Sequence, residues 1–555
     1  MGAGLEVSSE VTTYPLGELL VRGAKAHPER DCIVLPTERA TYGELEANAR
    51  LAGRALIALG VEPGDRVGIL MANCLDFVDV LFGASLIGAV PVLYNARFKA
   101  REIAHVTSDA GVKVIVTNNV VEQHTDYVEL LRHALPGLAQ SDASDQTPLD
   151  VAPKLQTAVT LSPSSTAGFL NRKEFYELAD QCSSTAVDER RVHVGVDDVA
   201  VMLYTSGTTA MPKGCPLSHI VLQHAGVVGG TERFGLVDGD VMWGPLPMFH
   251  TAFTQPLTGI LSVGGTYLSM THFEADSALE MIGREKPTVM FPAFPTITMQ
   301  LLNHPSYNED TFSAIRTIIN VGTPQELRTM QERMPHTSQI TVFGMTETGG
   351  SVAMCDPTDP LPLRTECSGR ALPGNQIDIR DPDTGETMAV GERGEIVTRG
   401  RGVFSGYHND PKKTAESFYE GAWFRTGDLG FMDAEGRITF RGRLKDMFKV
   451  GGENVAAVEV EGFLVTHPAV LLAQVVGVPD EKYGELPAAF IELAPGAMAS
   501  EQEIIEFCRG EIASFKIPRY VRFVDEWPMG ATKILKYELR QSICSELGIS
   551  LALID

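Results

Sequence analysis

The chain has 555 residues, 44% of them apolar and 21% charged, which gives room for more than one domain and excludes a disordered chain, a fibrous repeat and a coiled coil. A formal net charge of −25 at pH 7 repels nucleic acid and anionic lipid at long range, so neither is expected as a partner. The longest apolar stretch, 80–94, is interrupted by two glycines and a proline, so no integral membrane segment is expected.

The eight cysteines stand at 32, 74, 182, 215, 355, 367, 508 and 544 with no Cys-x-x-Cys pair. That scatter fits free thiols in a reducing compartment. The first residues lack the basic and apolar regions of a secretory signal, so a cytoplasmic protein is expected.

In chain order, apolar spacing near 3.6 predicts a helix over 41–59, and RVGILM at 66–71 a short strand. A helix over 76–88 and strands over 89–94 and 112–117 follow. Strands separated by helices imply parallel pairing and an α/β layer architecture. Residues 139–166, rich in Ser, Asp, Thr, Pro and Gln, read as surface loop. Strands are expected again at 198–204, 288–292 and 315–321, each running into small or turn-forming residues. In open α/β sheets ligands gather at the carboxyl ends of strands, so those loops are the places to look for chemistry.

From 376 to 444, QIDIRD, GEIVTRG and RITFRG alternate between Gly, Asp and Pro and suggest an antiparallel, β-rich unit. Beyond about 445 a smaller region has its own helices and strands, for example 455–465 and 473–478. The Gly-rich run just before that region marks the expected domain boundary. Residues 509–540 carry seven basic and four acidic side chains, a locally positive stretch in an acidic chain.

The most informative string runs from Tyr204 to Gly214, YTSGTTAMPKG. It follows a predicted strand and holds the hydroxyls of Thr205, Ser206, Thr208 and Thr209, with Gly207, Gly214 and Lys213. Hydroxyls and bare N–H groups wrap phosphate oxygens, glycine admits close approach, and lysine adds charge. It is not a Walker A loop, because Lys213 precedes a glycine at the wrong spacing. Further strings follow in order: LPMFH ending at His250, FGMTE from Phe343 to Glu347, WFRTGD ending at Asp428, GRLKD from Gly442, GGENV from Gly451, and Lys533 near the end.

This ordered set resembles the adenylate-forming (AMP-binding) superfamily, in its acyl-CoA synthetase or carboxylic acid–CoA ligase branch. TYGEL at 41–45 and GAVP at 88–91 extend the likeness over nearly the whole chain. The resemblance implies an α/β fold: a large N-terminal region, 1–444, of two doubly wound βαβ subdomains plus a distorted β-barrel, and a small mobile α+β domain, 445–555. It implies an acid–thiol ligase using ATP, Mg²⁺ and CoA that makes an acyl-adenylate and pyrophosphate, then a thioester and AMP. A carrier protein or amine in place of CoA is the alternative acceptor. A small-molecule carboxylic acid is the expected partner, and a homodimer stays open.

The resemblance also assigns roles by position. Ser206, Gly207, Thr208, Thr209 and Lys213, with Thr205 at the loop's start, would hold the β- and γ-phosphates. Glu347 would bind Mg²⁺, and Thr346 would donate to the α-phosphate. Phe343, where the family commonly has Tyr, would stack on adenine beside Gly344 and Met345. Gly322, Thr323 and Pro324 would run along the adenine edge, Thr323 standing where Ala is usual. Asp428 would accept from the ribose hydroxyls with Arg443 nearby.

Lys533 would bridge the carboxylate and the α-phosphate, although Thr532 precedes it where Gly is usual. His250 would gate and orient the acyl group. Lys445 would be the hinge. Gly451, Gly452 and Glu453 would line the pantetheine path, and Phe515 and Lys516 would meet the CoA nucleotide. The acyl pocket would draw on Phe253, Phe294, Asn320, Gly322, Gly349 and Gly350, the double glycine leaving room. The phenylalanines and prolines of this region make apolar, stiff walls, so an apolar, bulky acyl group is expected, whether fatty, aryl or alicyclic. No acidic residue among these candidates pairs a substrate ammonium, which argues against an amino-acid substrate. Lys536 is expected as an exposed lysine at a helix edge.

Overall fold

The computed structural model describes residues 13–138, 149–205, 211–450, 453–480, 482–529 and 534–549, with the backbone alone for Lys445 and Asn454. Two units divide the chain: Met1–Gln376 with Thr398–Phe424, and Ile377–Val397 with Arg425–Asp555.

Beside a small antiparallel sheet of Val342–Phe343, Ala353–Met354 and Arg370–Ala371, two large sheets dominate the first unit. One orders its strands Thr157–Thr160, Val112–Thr117, Arg66–Leu70, Val90–Leu93, Val199–Thr205 and Lys213–Ser218. All neighbours are parallel except the last pair, a hairpin with Thr205 opposite Lys213. The other runs Ser338–Ile340, Thr317–Asn320, Val289–Ala293, Val241–Trp243, Thr266–Leu268, Asp31–Val34 and Arg39–Thr41, parallel up to its last strand. Helices between the strands account for this direction, since a parallel neighbour needs a crossover connection.

Burial explains which residues form these elements. The Tyr42–Ala58 helix starts on a reciprocal cap in which Thr41 Oγ1 accepts from the Glu44 N–H and the Glu44 carboxylate accepts from the Thr41 N–H. Its buried face, with Leu45, Ala49, Ala52 and Leu56 all at 0% exposure, follows the 3–4 residue spacing that predicted it. Gly83 of the Leu75–Leu86 helix allows a close approach there: a Cβ would lie 2.8 Å from that of Ala52. Strands buried on both faces, such as Val90–Leu93 (VPVL), read as continuous apolar runs.

The expected loop at 139–166 needs correction. Residues 139–148 lie outside the described residues, but Thr157–Thr160 is a buried strand parallel to Val112–Thr117. Its four residues, TAVT, are β-branched at three positions, and both faces are covered.

The second unit takes in most of the strands Asn375–Arg380, Gly394–Gly400 and Trp423–Met432, followed by Ile438–Arg443, side by side in that order as a half-barrel. Its other sheet orders Glu453–Ala456, Met447–Val450, Gly484–Leu493 and Val470–Asp480, with Tyr520–Phe523 parallel to Gly484–Leu493. The helices Ala457–Leu464, Glu501–Cys508 and Lys536–Glu546 complete this α+β region. Among the described residues no helix is long and apolar enough to cross a membrane.

Candidate active site

The stem of the 204–214 loop is anchored from two directions, while Ser206, Gly207, Thr208 and Thr209 lie outside the described residues. Tyr204 donates its hydroxyl to Asp109 Oδ2 at 2.6 Å. On the returning strand the Gly214 carbonyl accepts from the His408 N–H at 2.9 Å. Position 214 must be glycine for that approach, because a Cβ would come within 2.9 Å of His408 Cβ. His408 Nε2 and Asn409 Nδ2 each lie 3.0 Å from the Asp109 carbonyl. Thr205 and Lys213, paired across the hairpin, therefore leave a fixed base.

Phe343 ends a two-residue strand and is buried at 6% exposure. Thr346, Glu347 and Thr348 form a single 3₁₀ turn after it. The Glu347 carbonyl accepts from the Phe404 N–H at 2.9 Å, and its carboxylate Oε1 accepts from the Tyr407 hydroxyl at 2.7 Å. One segment, 404–409, thus holds both Glu347 and the loop stem. Burial, then the neighbouring Glu347 charge, raises the Tyr407 phenol far above its usual range, so it remains a donor.

Thr323 has a local explanation. It caps the Pro324–Arg333 helix, accepting from the Glu326 N–H while Glu326 accepts in return, with Pro324 in the first turn. Alanine could not do this. Beside it, Ala293 takes a left-handed φ of 57° at the end of its strand, and its carbonyl accepts from the Val321 N–H at 2.7 Å.

The expected acyl-pocket residues fall in two groups: Phe294, Asn320 and Gly322 at the end of the Val289–Ala293 strand, where a Cβ at Gly322 would meet Pro295 at 2.5 Å, and Phe253 with Gly349 and Gly350, beside the Thr251–Ser262 helix. Phe253 is fully buried in the core, its ring edge-on to Phe77 and Tyr267. Phe294, partly buried, precedes the Pro295–Leu302 helix. Asn320 is buried, with its carbonyl oxygen taken by Thr298 and its amide donating to Gln339, both at 2.9 Å.

The room expected at Gly349 and Gly350 is filled by protein. A Cβ at Gly349 would meet the Val221 carbonyl at 2.5 Å, and one at Gly350 the Gln255 side chain at 2.1 Å. Their φ values of 66° and 123° show what glycine supplies here: a turn against buried helices. His250 stands at the N-cap position of the Thr251–Ser262 helix without a side-chain capping bond, its ring 4.6 Å from that of Phe249.

In the second unit Asp428 and Arg443 face each other across neighbouring strands, Arg443 Nε 3.3 Å from Asp428 Oδ1. The strand leading to Asp428 is held by Glu395, which pairs with Arg425 and accepts from the Gly427 N–H.

Glu453 opens the second strand of a hairpin with Met447–Val450, whose connecting Gly451 and Gly452 lie outside the described residues. Lys445 lies in the turn Leu444–Asp446, with its side chain not described. Phe515 and Lys516 share one 3₁₀ turn, and Lys516 pairs with Glu459. Lys533 is outside the described residues. On either side of it Met529 pairs with Ile534, and the Leu535 N–H donates to the Pro528 carbonyl at 2.7 Å.

Lys536 is the remaining correction. Instead of a free helix edge it makes an ion pair, its Nζ 2.5 Å from Glu461, whose side chain is only 12% exposed. Attraction to the buried carboxylate outweighs hydration of the ammonium.

Sequence reasoning passed over Tyr407, Asp109 and Glu395. Tyr407 and Asp109 act on partners 60 and 95 positions away, which no local pattern reveals. Glu395 did leave a trace, as an acidic residue within the otherwise buried strand GEIVTRG.

Comparison with known proteins places this geometry. The AMP-binding enzyme family matches residues 20–408, and the AMP-binding enzyme C-terminal domain matches 459–533. YngI of Bacillus subtilis (strain 168), which carries an acyl-CoA synthetase name, is 34% identical over 98% of this chain and 99% of its own length. The mitochondrial medium-chain acyl-CoA ligase ACSF2 of Rattus norvegicus is 31% identical over 98% of this chain and 89% of its own. The solved structure of the anthranilate CoA ligase AuaEII with anthranoyl-AMP superposes with a TM-score of 0.84 at 26% identity, covering 98% of this chain and all of that one. The chain belongs to the AMP-binding enzyme family, within its acyl-CoA synthetase branch of acid–thiol ligases.

Proposed function

We propose that the enzyme joins an apolar carboxylic acid to CoA in two steps at the expense of ATP. In the first, a carboxylate oxygen attacks the α-phosphorus and pyrophosphate leaves. In the second, the CoA sulfur attacks the acyl carbon and AMP leaves. The observation that carries this reading is the 404–409 segment, which ties the Glu347 carboxylate to the stem of the hydroxyl- and lysine-bearing loop. A reaction between two anions depends on such preorganised charge.

In this reading Ser206, Thr208, Thr209 and Lys213 hold the outer phosphates, Thr346 the α-phosphate, Phe343 the adenine, and Asp428 with Arg443 the ribose. Lys533 offsets charge as the adenylate forms. Glu347, a carboxylate held beside the loop stem by the 404–409 segment, fits Mg²⁺, which is typically held by one or two carboxylates with substrate phosphates and water. The ion supplies neutralisation of phosphate charge.

The domain from 445 onward turns on Lys445 between the steps. Gly451, Gly452 and Glu453 then admit pantetheine, with Phe515 and Lys516 near the CoA nucleotide and His250 orienting the acyl group. The free state of all eight cysteines supports a cytoplasmic setting. No observation favours a carrier protein or amine as acceptor.

The acid class is tested by pyrophosphate release from ATP and Mg²⁺ across fatty, aryl and alicyclic acids. Release with a subset of apolar acids is expected. Release with amino acids alone would overturn the reading.

A further inference from the structure

Glu347 sits on a single turn, and a carboxylate so placed has three side-chain torsions to lose before it can serve as a ligand. The structure removes that freedom through Tyr407. Its hydroxyl donates to Oε1 at 2.7 Å.

Tyr407 is itself held on both sides. Its N–H donates to Thr414 Oγ1 at 2.9 Å. Its ring meets Phe404 edge-on at 4.9 Å, and Phe404 packs further on Phe418 and Phe424. Phe404 contributes its own N–H to the Glu347 carbonyl, and His408, the next residue along, is bound to Gly214 at the base of the phosphate loop. Gly406 takes a φ of 146° with Thr414 packed where a Cβ would stand, 2.4 Å away, so the segment reaches both anchors without slack.

We propose that Tyr407 is a positioning residue for the divalent cation that accompanies ATP: it fixes the Glu347 carboxylate relative to the stem of the phosphate loop. The proposal rests on the reading of Glu347 as the Mg²⁺-binding carboxylate. Partners of metal ligands commonly matter this way, and losing one weakens metal affinity or activity by about 10- to 100-fold. The requirement is for a donor, not only a ring. A phenylalanine would keep the aromatic packing, yet leave Glu347 free to rotate.

The test is a double-mutant cycle read by metal binding instead of turnover. Wild type, Y407F, E347Q and the double variant are titrated with Mn²⁺ at a fixed concentration of a non-hydrolysable ATP analogue, following the shift in melting temperature. AMP binding without metal is measured alongside. Y407F is expected to raise the half-saturating Mn²⁺ by about 10-fold or more, to leave AMP binding unchanged, and to add nothing in the E347Q background.

An unchanged Mn²⁺ requirement in Y407F, or the same loss in both backgrounds, overturns the proposal. Parallel loss of AMP binding does so too, since it marks general loosening of the segment. If E347Q alone leaves Mn²⁺ binding intact, the underlying assignment of Glu347 fails, and that outcome is distinct. Should Y407F not fold, Tyr407→His keeps a ring donor and enters the same cycle: it should lose less Mn²⁺ affinity than E347Q, and a loss as large in the E347Q background would overturn the proposal.

Discussion

Glu395 and Arg425 form a two-contact ion pair: the guanidinium Nη2 and Nε lie 2.9 and 3.0 Å from the same carboxylate oxygen. The other oxygen accepts from the Gly427 N–H at 3.1 Å, and the Glu395 side chain is 1% exposed. Three donors therefore converge on one buried anion just before Asp428. Glu395→Gln removes the charge and turns an amide N–H₂ toward those donors. A loss of about 2–3 kcal/mol is expected in denaturant unfolding, together with a raised KM for ATP. Unchanged stability would contradict this account of the strand.

Gly350 tests whether the double glycine serves the fold or the substrate. Gly350→Ala must place a Cβ at a φ of 123° and displace Gln255, whose amide donates to Ser351 at 2.9 Å. Strain and overpacking together are expected to cost about 3 kcal/mol. Selectivity among acids should be unchanged in the enzyme that remains folded. Altered selectivity without loss of stability would restore the pocket reading.

Asp79 gives a pH dependence. It is buried, its Oδ1 has no hydrogen-bond partner, and Asn48 reaches Oδ2 only at 3.4 Å. Burial, reinforced by the charge of Asp76, raises its pKa to about 7. The folded state therefore holds a proton that the unfolded chain has released between about pH 4 and pH 7. Stability falls as pH rises through that window, by at most roughly 1.4 kcal/mol per pH unit, and the penalty is complete above it. Asp79→Asn should flatten that slope and be the more stable protein at pH 8, as checked by melting temperatures from pH 4 to 8.

Lys533→Gln separates the two proposed steps. Neutralising this side chain should slow adenylation by about 10²–10³-fold. Thioester formation from supplied acyl-adenylate should stay near wild type. Pyrophosphate exchange and a single-turnover thiol reaction measure the two, and equal loss in both would remove the assignment.

How far the sequence carried depended on how local each cause was. The 41–59 helix and the 112–117 strand were legible because cap, period and apolar run lie within the segment itself. Thr157–Thr160 escapes notice because four β-branched and small residues are too short a run to stand out within a stretch rich in Ser, Asp, Thr, Pro and Gln, and its pairing partner lies 43 positions earlier, at Val114. In the candidate site, motif order points to Glu347, Phe343 and Asp428. The residues that hold them, Tyr407 and Glu395, matter through distant contacts. Lys536 shows the same limit: a lysine beside a polar helix looks solvated until Glu461, 75 positions earlier, is seen beneath it.

The most direct measurement is product analysis after incubation with an acid that supports pyrophosphate release, with ATP, Mg²⁺ and either CoA or none. The account predicts that CoA converts a stoichiometric burst into turnover, yielding AMP and an acyl-CoA thioester of matching mass. Pyrophosphate release unmoved by CoA, with no thioester formed, would contradict it.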